Sequence, residues 1–258
     1  MDTLTGYNEL AQLVVFSPAE VAKLTGNRKT AYSLLDRLMK KGLVKKIRQN
    51  VYSCVNPATG QVIASRYQIA CAVNDSAYLS HHTAFEYHGV AHQVFYDMYV
   101  SSKTKFRSFE FDGIRYRYVA SKVDAGVVEP KHSEKVRVTD LERTVIDSIK
   151  DFEKIAGFEE LLQCLDRVPY LDEDKLKRYL AVYEMQVLYQ KTGFLLAHYR
   201  QQMQLSAAFF DHCKSRIGKS TRYLLRDRVG GSHYNGEWQL VVSEGVFDLT
   251  DQGRDENG

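Results

Sequence analysis

Apolar residues near the start of the chain recur first at helical spacing and then in a strand-like alternation. The run 4–16, LTGYNELAQLVVF, predicts a first helix. Ser17 then precedes Pro18, with Glu20 three positions on. This is the signature of a capping box that satisfies the first amides of a helix. Val21 and Leu24 share a face of that second helix, and Gly26 supplies the positive φ that ends it. Asn27 is placed to cap a third helix, in which Ala31, Leu34, Leu35 and Leu38 form the apolar stripe and Lys29, Tyr32, Ser33, Asp36, Arg37 and Lys40 occupy other faces. After Gly42, the residues Leu43, Val44, Ile47, Val51, Tyr52 and Val55 predict two short strands around Arg48-Gln49-Asn50, because Asn tolerates the left-handed backbone a hairpin tip needs. Helix, short turn, helix and hairpin is the order of a winged helix-turn-helix.

Beyond a turn-rich stretch at 56–60, where a domain boundary is expected, the pattern predicts helices over 63–73 and 80–90. Ser80 is the expected cap of the second, and Gly89 its stop. Strands are expected over 94–101, 107–111 and 114–120. The last two are separated by Asp112-Gly113, a two-residue hairpin signal across which Phe109, Phe111, Tyr116 and Tyr118 are expected to pair. A strand at 136–138 leads into Thr139 and Glu142, read as another capping box. The helix 141–149 follows, expected to be buried along Leu141, Val145 and Ile149. Helices over 158–166, 173–181, 187–203 and 207–216, a strand at 238–242 and a disordered tail over about 250–258 complete the reading. The expected fold is α+β: a winged helix over 1–60, then a larger mixed domain over 61–258 with a small antiparallel sheet and several C-terminal helices.

Charge sharpens this division. The chain of 258 residues has a net charge of only +3, but residues 1–60 hold nine basic and four acidic side chains against 26 and 28 in the remainder. All nine basic residues fall between Lys23 and Arg48, where Asp36 is the one acid. A polyanion is therefore the expected partner of the first domain, and double-stranded operator DNA fits a winged helix. Arg28, Lys29, Thr30, Tyr32 and Ser33, in the first half of the third helix, are the candidates for base contact. Arg37, Lys40 and Lys41 complete the DNA-contacting helix, and Lys45, Lys46, Arg48, Gln49 and Asn50 form the wing, placed against the backbone or minor groove. A homodimer or cooperative binding to repeated half-sites is the matching assembly. Four cysteines without CxxC spacing read as buried thiols in a reducing compartment. With no apolar run near the roughly 20 residues a bilayer requires and no targeting pattern at the N-terminus, a cytoplasmic protein with no membrane partner is expected.

Catalytic chemistry is harder to find. His81, His82, His88 and His92 invite a metal, and His81, His88 and His92 would share a helical face with Phe85. Their spacing matches no common ligand set, so packing and hydrogen-bonding roles are expected, even with Glu86 beside them. Glu110, Asp112, Glu129 and Glu134, with Lys131 and Lys135, lack the distinguishing spacing of a magnesium nuclease. Gly218-Lys219-Ser220 ends like a phosphate loop, but Cys213 stands where the first glycine belongs. No catalytic residue, metal or cofactor is expected, and the protein is not expected to be an enzyme.

The hairpin GLVKKIRQNVYSCV, then SHHTAFEYHGV, then VRVTDLERTVIDSI resemble the AbiEi antitoxins of type IV toxin-antitoxin systems and related transcriptional regulators. Thr139-Asp140-Leu141-Glu142-Arg143-Thr144 with Asp147 is the most specific part of the resemblance, which extends over nearly the whole chain. It implies an N-terminal domain that represses its own operon and a C-terminal domain that counters a co-encoded nucleotidyltransferase-like toxin. Arg143 and Asp147, four apart on one helix, are expected to form an ion pair that fixes the fold rather than a toxin contact. The alternatives are a standalone regulator with a ligand-binding or dimerisation domain, and a DNA-processing enzyme targeted by a winged helix.

Overall fold

The computed structural model describes residues 3–225 and 231–248. Among these the chain runs α1 (Thr3–Gln12), β1 (Val15–Phe16), α2 (Pro18–Thr25), α3 (Arg28–Lys40), β2 (Val44–Arg48), β3 (Val51–Cys54), α4 (Arg66–Cys71), β4 (Tyr78–Leu79), α5 (His81–Tyr87), β5 (Asp97–Ser102), β6 (Phe109–Phe111) and β7 (Ile114–Ala120). It continues through β8 (Val127–Val128), β9 (Val138–Thr139), α6 (Leu141–Lys150), a 3-10 turn (Phe152–Ile155), α7 (Phe158–Leu165), α8 (Glu173–Tyr183), α9 (Gln186–His198), α10 (Ala207–Ser215), β10 (Arg222–Tyr223), β11 (Ser232–Asn235) and β12 (Leu240–Ser243). Helices combine with short, largely antiparallel strands, which is consistent with a mixed α+β type. No helix among the described residues is long and apolar enough to cross a membrane.

The chain divides into two compact units, and they do not follow a cut after residue 60. Residues up to Leu79 cluster with Tyr96–Lys122 and Glu129–Arg137; the second unit holds Ser80–Phe95, Val123–Val128 and the residues from Val138 on.

In the first unit, α1, α2, α3 and the β2–β3 hairpin enclose one core of Leu10, Phe16, Val21, Ala31, Leu34, Leu35, Leu38, Val44, Tyr52 and Cys54. The local signals act as their chemistry requires. Ser17 accepts the Glu20 amide, and the Glu20 carboxylate accepts the Ser17 amide at 2.7 Å. Gly26 adopts φ +80°, and Asn27 caps α3 by accepting the Thr30 amide at 2.8 Å. The expected first helix is too long, however. It stops at Gln12, Val14 takes φ +61°, and Val15–Phe16 become a strand paired with Ser53 and Tyr52 of β3. Two β-branched valines before an aromatic residue fit an edge strand better than a last helical turn. A second group of strands in this unit runs in the order β6-β7-β5-β4. The β5–β7 pair is parallel, which corrects the expectation of a purely antiparallel sheet: the β6–β7 hairpin docks on β5 by its later strand. Phe109 stacks on its register partner Tyr116 with ring centroids 4.6 Å apart. Phe111 faces Ile114, and Tyr118 instead meets Phe106 edge-on.

In the second unit, α5 to α10 surround a core that includes Phe85, Val145, Ile149, Leu161, Leu195 and Trp238. The cap of α6 is Asp140, which accepts the Arg143 amide at 2.9 Å, and not Thr139. Thr139 is still in strand β9, with its hydroxyl 2.8 Å from that of Thr144. Glu142, freed from capping, accepts the Asp172 amide and the Lys175 ammonium, which holds the start of α8. Val145 and Ile149 of the expected stripe are buried and Leu141 only partly so, while Glu142, Arg143, Thr144, Asp147 and Ser148 are buried too. The C-terminal strands are three, in the order β10-β12-β11, and the expected strand at 238–242 lies at Leu240–Ser243. The tail at about 250–258, expected to be disordered, lies outside the described residues.

Candidate nucleic-acid interface

The surface of α3 opposite its apolar stripe carries the sequence-predicted residues together. Ala31, Leu34, Leu35 and Leu38 are buried, whereas Arg28, Lys29, Thr30, Tyr32, Ser33, Arg37 and Lys40 are exposed. Tyr32 is a large aromatic side chain left 46% exposed amid cations. The one acid of the helix, Asp36, meets Lys40 at 2.8 Å in an i,i+4 pair open to solvent. Lys41 is exposed just beyond the helix end, and Gly42 adopts φ +70° to turn the chain into β2. Cationic side chains on a helix whose other face is fixed by a core form a preorganised positive surface, suited to phosphate groups.

The hairpin adds charge beside it. Lys45 and Lys46 are exposed on β2; Lys45 Nζ donates to the Gly60 carbonyl at 3.1 Å, which ties the strand to the chain leaving the hairpin. Gln49 and Asn50 form the exposed tip, with Asn50 at φ +63°, the conformation that its short polar side chain tolerates. The β2–β3 register shifts between Lys46 and Arg48, so Ile47 is accommodated by a bulge.

Arg48 is placed differently from the rest. It is half-buried, with its guanidinium carbon 4.8 Å from the Phe109 ring centroid and 5.4 Å from that of Phe106. Burial lowers its pKa, and Nη1 is enclosed without a hydrogen-bond partner, as befits a cation held by aromatic faces. Its guanidinium packs on these rings, unlike the exposed Lys45 and Lys46. From sequence Phe109 is expected only to pair across its own hairpin, and Phe106 carries no assigned role. The alternation of basic and aromatic residues in KTKFRSFEF is the signal that points to them.

A cleft of about 1040 Å³ lies in the same unit, lined by Ser17, Glu20, Lys23, Asn50 and Val51 together with Cys71, Asp75 and residues 129–131 and 133–137. Lys135 crosses its wall, donating to the Val15 carbonyl at 2.7 Å and approaching Glu20 at 3.6 Å. Acidic and basic side chains are about equally represented around it.

The histidines do not share one helical face, because α5 ends at Tyr87 and Gly89 turns the chain at φ +73°. His81 Nδ1 lies 2.9 Å from Ser80 Oγ, and His88 Nε2 donates to the Thr139 carbonyl at 2.7 Å. His82 is fully buried between two carboxylates, each 3.1 Å away. The Glu160 contact has hydrogen-bond geometry, and Glu86 acts on the other ring nitrogen by close polar contact and charge. Burial opposes protonation of His82, but Glu160 and Glu86 outweigh it and raise the pKa. His92 Nδ1 is 3.7 Å from the other Glu160 oxygen. Among the described residues no group of three or more His, Cys, Asp or Glu is arranged to hold a metal ion. Glu110 lies near Arg115, and Asp112 sits in the hairpin turn at φ +48°.

No protein-family model and no curated protein matches the sequence. Among solved structures the chain is similar to the RV2827C protein from Mycobacterium tuberculosis, with a TM-score of 0.67 over 96% of this chain and 93% of that one, at 15% identity. The likeness is one of fold.

Proposed function

We propose that residues 1–60 form a winged helix-turn-helix that binds duplex operator DNA, with α3 in the major groove and the β2–β3 hairpin as the wing. The observation that carries this reading is the exposed cationic face of α3 beside the exposed Lys45 and Lys46 of the hairpin. The first half of α3 supplies base contacts from Arg28, Lys29, Thr30, Tyr32 and Ser33; Arg37, Lys40, Lys41, Lys45, Lys46, Gln49 and Asn50 supply or flank backbone contacts. The protein is in this reading a cytoplasmic, non-enzymatic repressor of its own operon. Residues 61–258 act as an antitoxin against a co-encoded nucleotidyltransferase, a role supported by the resemblance centred on TDLERTVID. The deciding experiment is binding of the full chain to duplex DNA from upstream of its own reading frame. Lys29→Ala/Lys46→Ala should bind more weakly, with a salt dependence flatter by about 0.9 for each phosphate no longer neutralised. Absence of binding by the wild type removes the DNA reading. Growth of cells expressing the neighbouring nucleotidyltransferase tests the antitoxin role, and failure of the full chain to rescue them removes it.

The cleft beside α2 and the hairpin tip favours one second reading, a regulator whose DNA affinity responds to a small molecule. A small-molecule panel that raises the melting temperature while changing DNA affinity would select it.

A further inference from the structure

A second cationic segment is built beside the hairpin, outside the helix-turn-helix. The sequence from Met98 to Phe109, MYVSSKTKFRSF, contains Lys103, Lys105 and Arg107 and no acid. After β5 ends at Ser102, alternate residues of this segment are anchored. The Thr104 amide donates to Ser102 Oγ at 3.1 Å, and its carbonyl accepts from Asn74 Nδ2 at 3.3 Å. Phe106 is buried, edge-on to Tyr118 and under the Arg48 guanidinium. Ser108 Oγ accepts the Tyr118 amide at 3.1 Å. The intervening residues Lys103, Lys105 and Arg107 are all exposed. Lys105 and Arg107 thus stand exposed on either side of the buried Phe106, and Lys103 is exposed in the bend that follows β5.

We propose that Lys105 and Arg107, with Lys103, form a second strip that binds the DNA phosphate backbone next to the hairpin. The proposal rests on the DNA-binding reading and extends its footprint. Lys105 and Arg107 directly flank Phe106, with consecutive Cα atoms about 3.8 Å apart, and Phe106 lies 5.4 Å from the guanidinium carbon of a residue on β2. The strip is thereby tied to the hairpin's own strand. The segment is held by the Thr104 backbone, the Phe106 ring and the Ser108 hydroxyl before any partner arrives, so less ordering is left to oppose binding. A uniform polyanion is the partner that three like charges without an intervening acid complement best. Arg48 is on this account a positioning residue: its cation joins the hairpin to the strip.

The test is the salt dependence of binding of the full chain to a random-sequence duplex between about 50 and 200 mM salt, where non-specific phosphate contacts dominate. Lys105→Ala/Arg107→Ala should flatten the log–log slope by about 1.8, that is about 0.9 per phosphate. Lys105→Glu/Arg107→Glu should weaken binding further, with an unchanged melting temperature showing that the fold is intact. Lys29→Ala/Lys46→Ala serves as the parallel arm. If that pair flattens the slope while the Lys105/Arg107 variants leave it unaltered, the second strip is overturned and the DNA reading stands. If the wild type binds no duplex, both are overturned.

Discussion

Helices α3 and α6 use charge in opposite ways. Six charged side chains on α3, Arg28, Lys29, Asp36, Arg37, Lys40 and, just past its end, Lys41, lie in solvent, while the stripe beneath them is wholly aliphatic. On α6 the charges go inward: Glu142, Arg143 and Asp147 are buried. Arg143 Nε donates to Asp147 at 2.8 Å, Tyr183 donates its hydroxyl to the same carboxylate, and Tyr179 donates to the capping Asp140 at 2.6 Å. A buried ion must be completed by its own protein, so its geometry serves the fold. An exposed one in a like-charged group is left for something outside. This comparison separates the TDLERTVID motif from the cationic helix more sharply than residue type does, and it can be tested by removing charges from the most buried to the most exposed.

The largest effect is expected at Arg143, which is 1% exposed. Arg143→Ala leaves the Asp147 carboxylate buried without its cation and removes the cover over the Tyr183 ring, 5.2 Å from the guanidinium carbon. Truncating one partner of a buried pair costs about 3–5 kcal/mol. Urea denaturation should show a loss of that order. A loss under about 1 kcal/mol would mean that the pair is wet and that the motif has surface to offer a partner. Gly126 reinforces the expectation, because a Cβ there would lie 2.8 Å from Arg143 Cβ and from the Tyr179 ring, at φ +81°.

Next comes His82, a buried imidazole whose charge depends on pH. Glu160 and Glu86 face it, with Cys164 Sγ 3.4 Å and His92 3.7 Å from Glu160. The folded pKa is raised above the unfolded value of about 6.5, so the stabilisation is complete below that value and is lost as pH rises through the folded pKa. For Glu160, burial works upward, but His82 and its other donors prevail and lower the pKa, so its contribution is lost on the acid side instead. Wild-type stability should therefore fall across the rise from pH 6.5 by up to about 1.4 kcal/mol per pH unit, the limit for one proton. His82→Gln should flatten that fall. Equal slopes in the two proteins would show a neutral imidazole.

What could be read from sequence follows the range of the forces involved. Capping by Ser17 and Asn27, the turns at Gly26 and Asp112-Gly113 and the stripe of α3 depend on residues a few positions apart, and each formed as its chemistry dictated. Strand β1 is two residues long, too short to show a period, and its identity depends on pairing with Ser53 and Tyr52 far along the chain. Thr139 and Glu142 have the correct spacing for a capping box, yet strand pairing at Thr139 and distant partners for Glu142 overrode the local choice. Arg48 reads as one more wing cation because its partners are distant in sequence, Phe106 between β5 and β6 and Phe109 at the start of β6. The exposed face of α3 was accessible from spacing alone; the strip at Lys103, Lys105 and Arg107 was not, since only the fold brings it to the hairpin.

Arg48 is intermediate between these two uses of charge, a half-buried cation packed on two rings. Arg48→Ala should cost about 1 kcal/mol, within the range of cation–π contacts between exposed and desolvated settings. Its direct effect on the salt slope of DNA binding should be smaller than the 0.9 or so of a full phosphate contact. A slope change of that full size, with unaltered thermal stability, would put Arg48 on the phosphate side of the comparison.

The smallest change in stability is expected at Asp36. Its pair with Lys40 is short, at 2.8 Å, but the side chains are 59% and 75% exposed, so solvent screens the attraction. Such helical pairs contribute about 0.3–0.5 kcal/mol, and Asp36→Ala replaces a weak helix former with the best one. The two effects nearly offset, and the melting temperature should hardly move. Binding should respond in the other direction. Asp36 is the one acid on the helix proposed to enter the groove, so its removal leaves Lys40 fully available and takes a like charge away from the approaching phosphates. Affinity for duplex DNA should rise, most clearly at low salt. The buried carboxylate of Asp147 makes the complementary control, because Asp147→Ala should unsettle the fold without any gain in affinity. If Asp36→Ala instead destabilises the protein by more than about 1 kcal/mol, or leaves DNA affinity unchanged at low salt, the exposed charges of α3 serve the fold as those of α6 do, and the contrast between the helices fails.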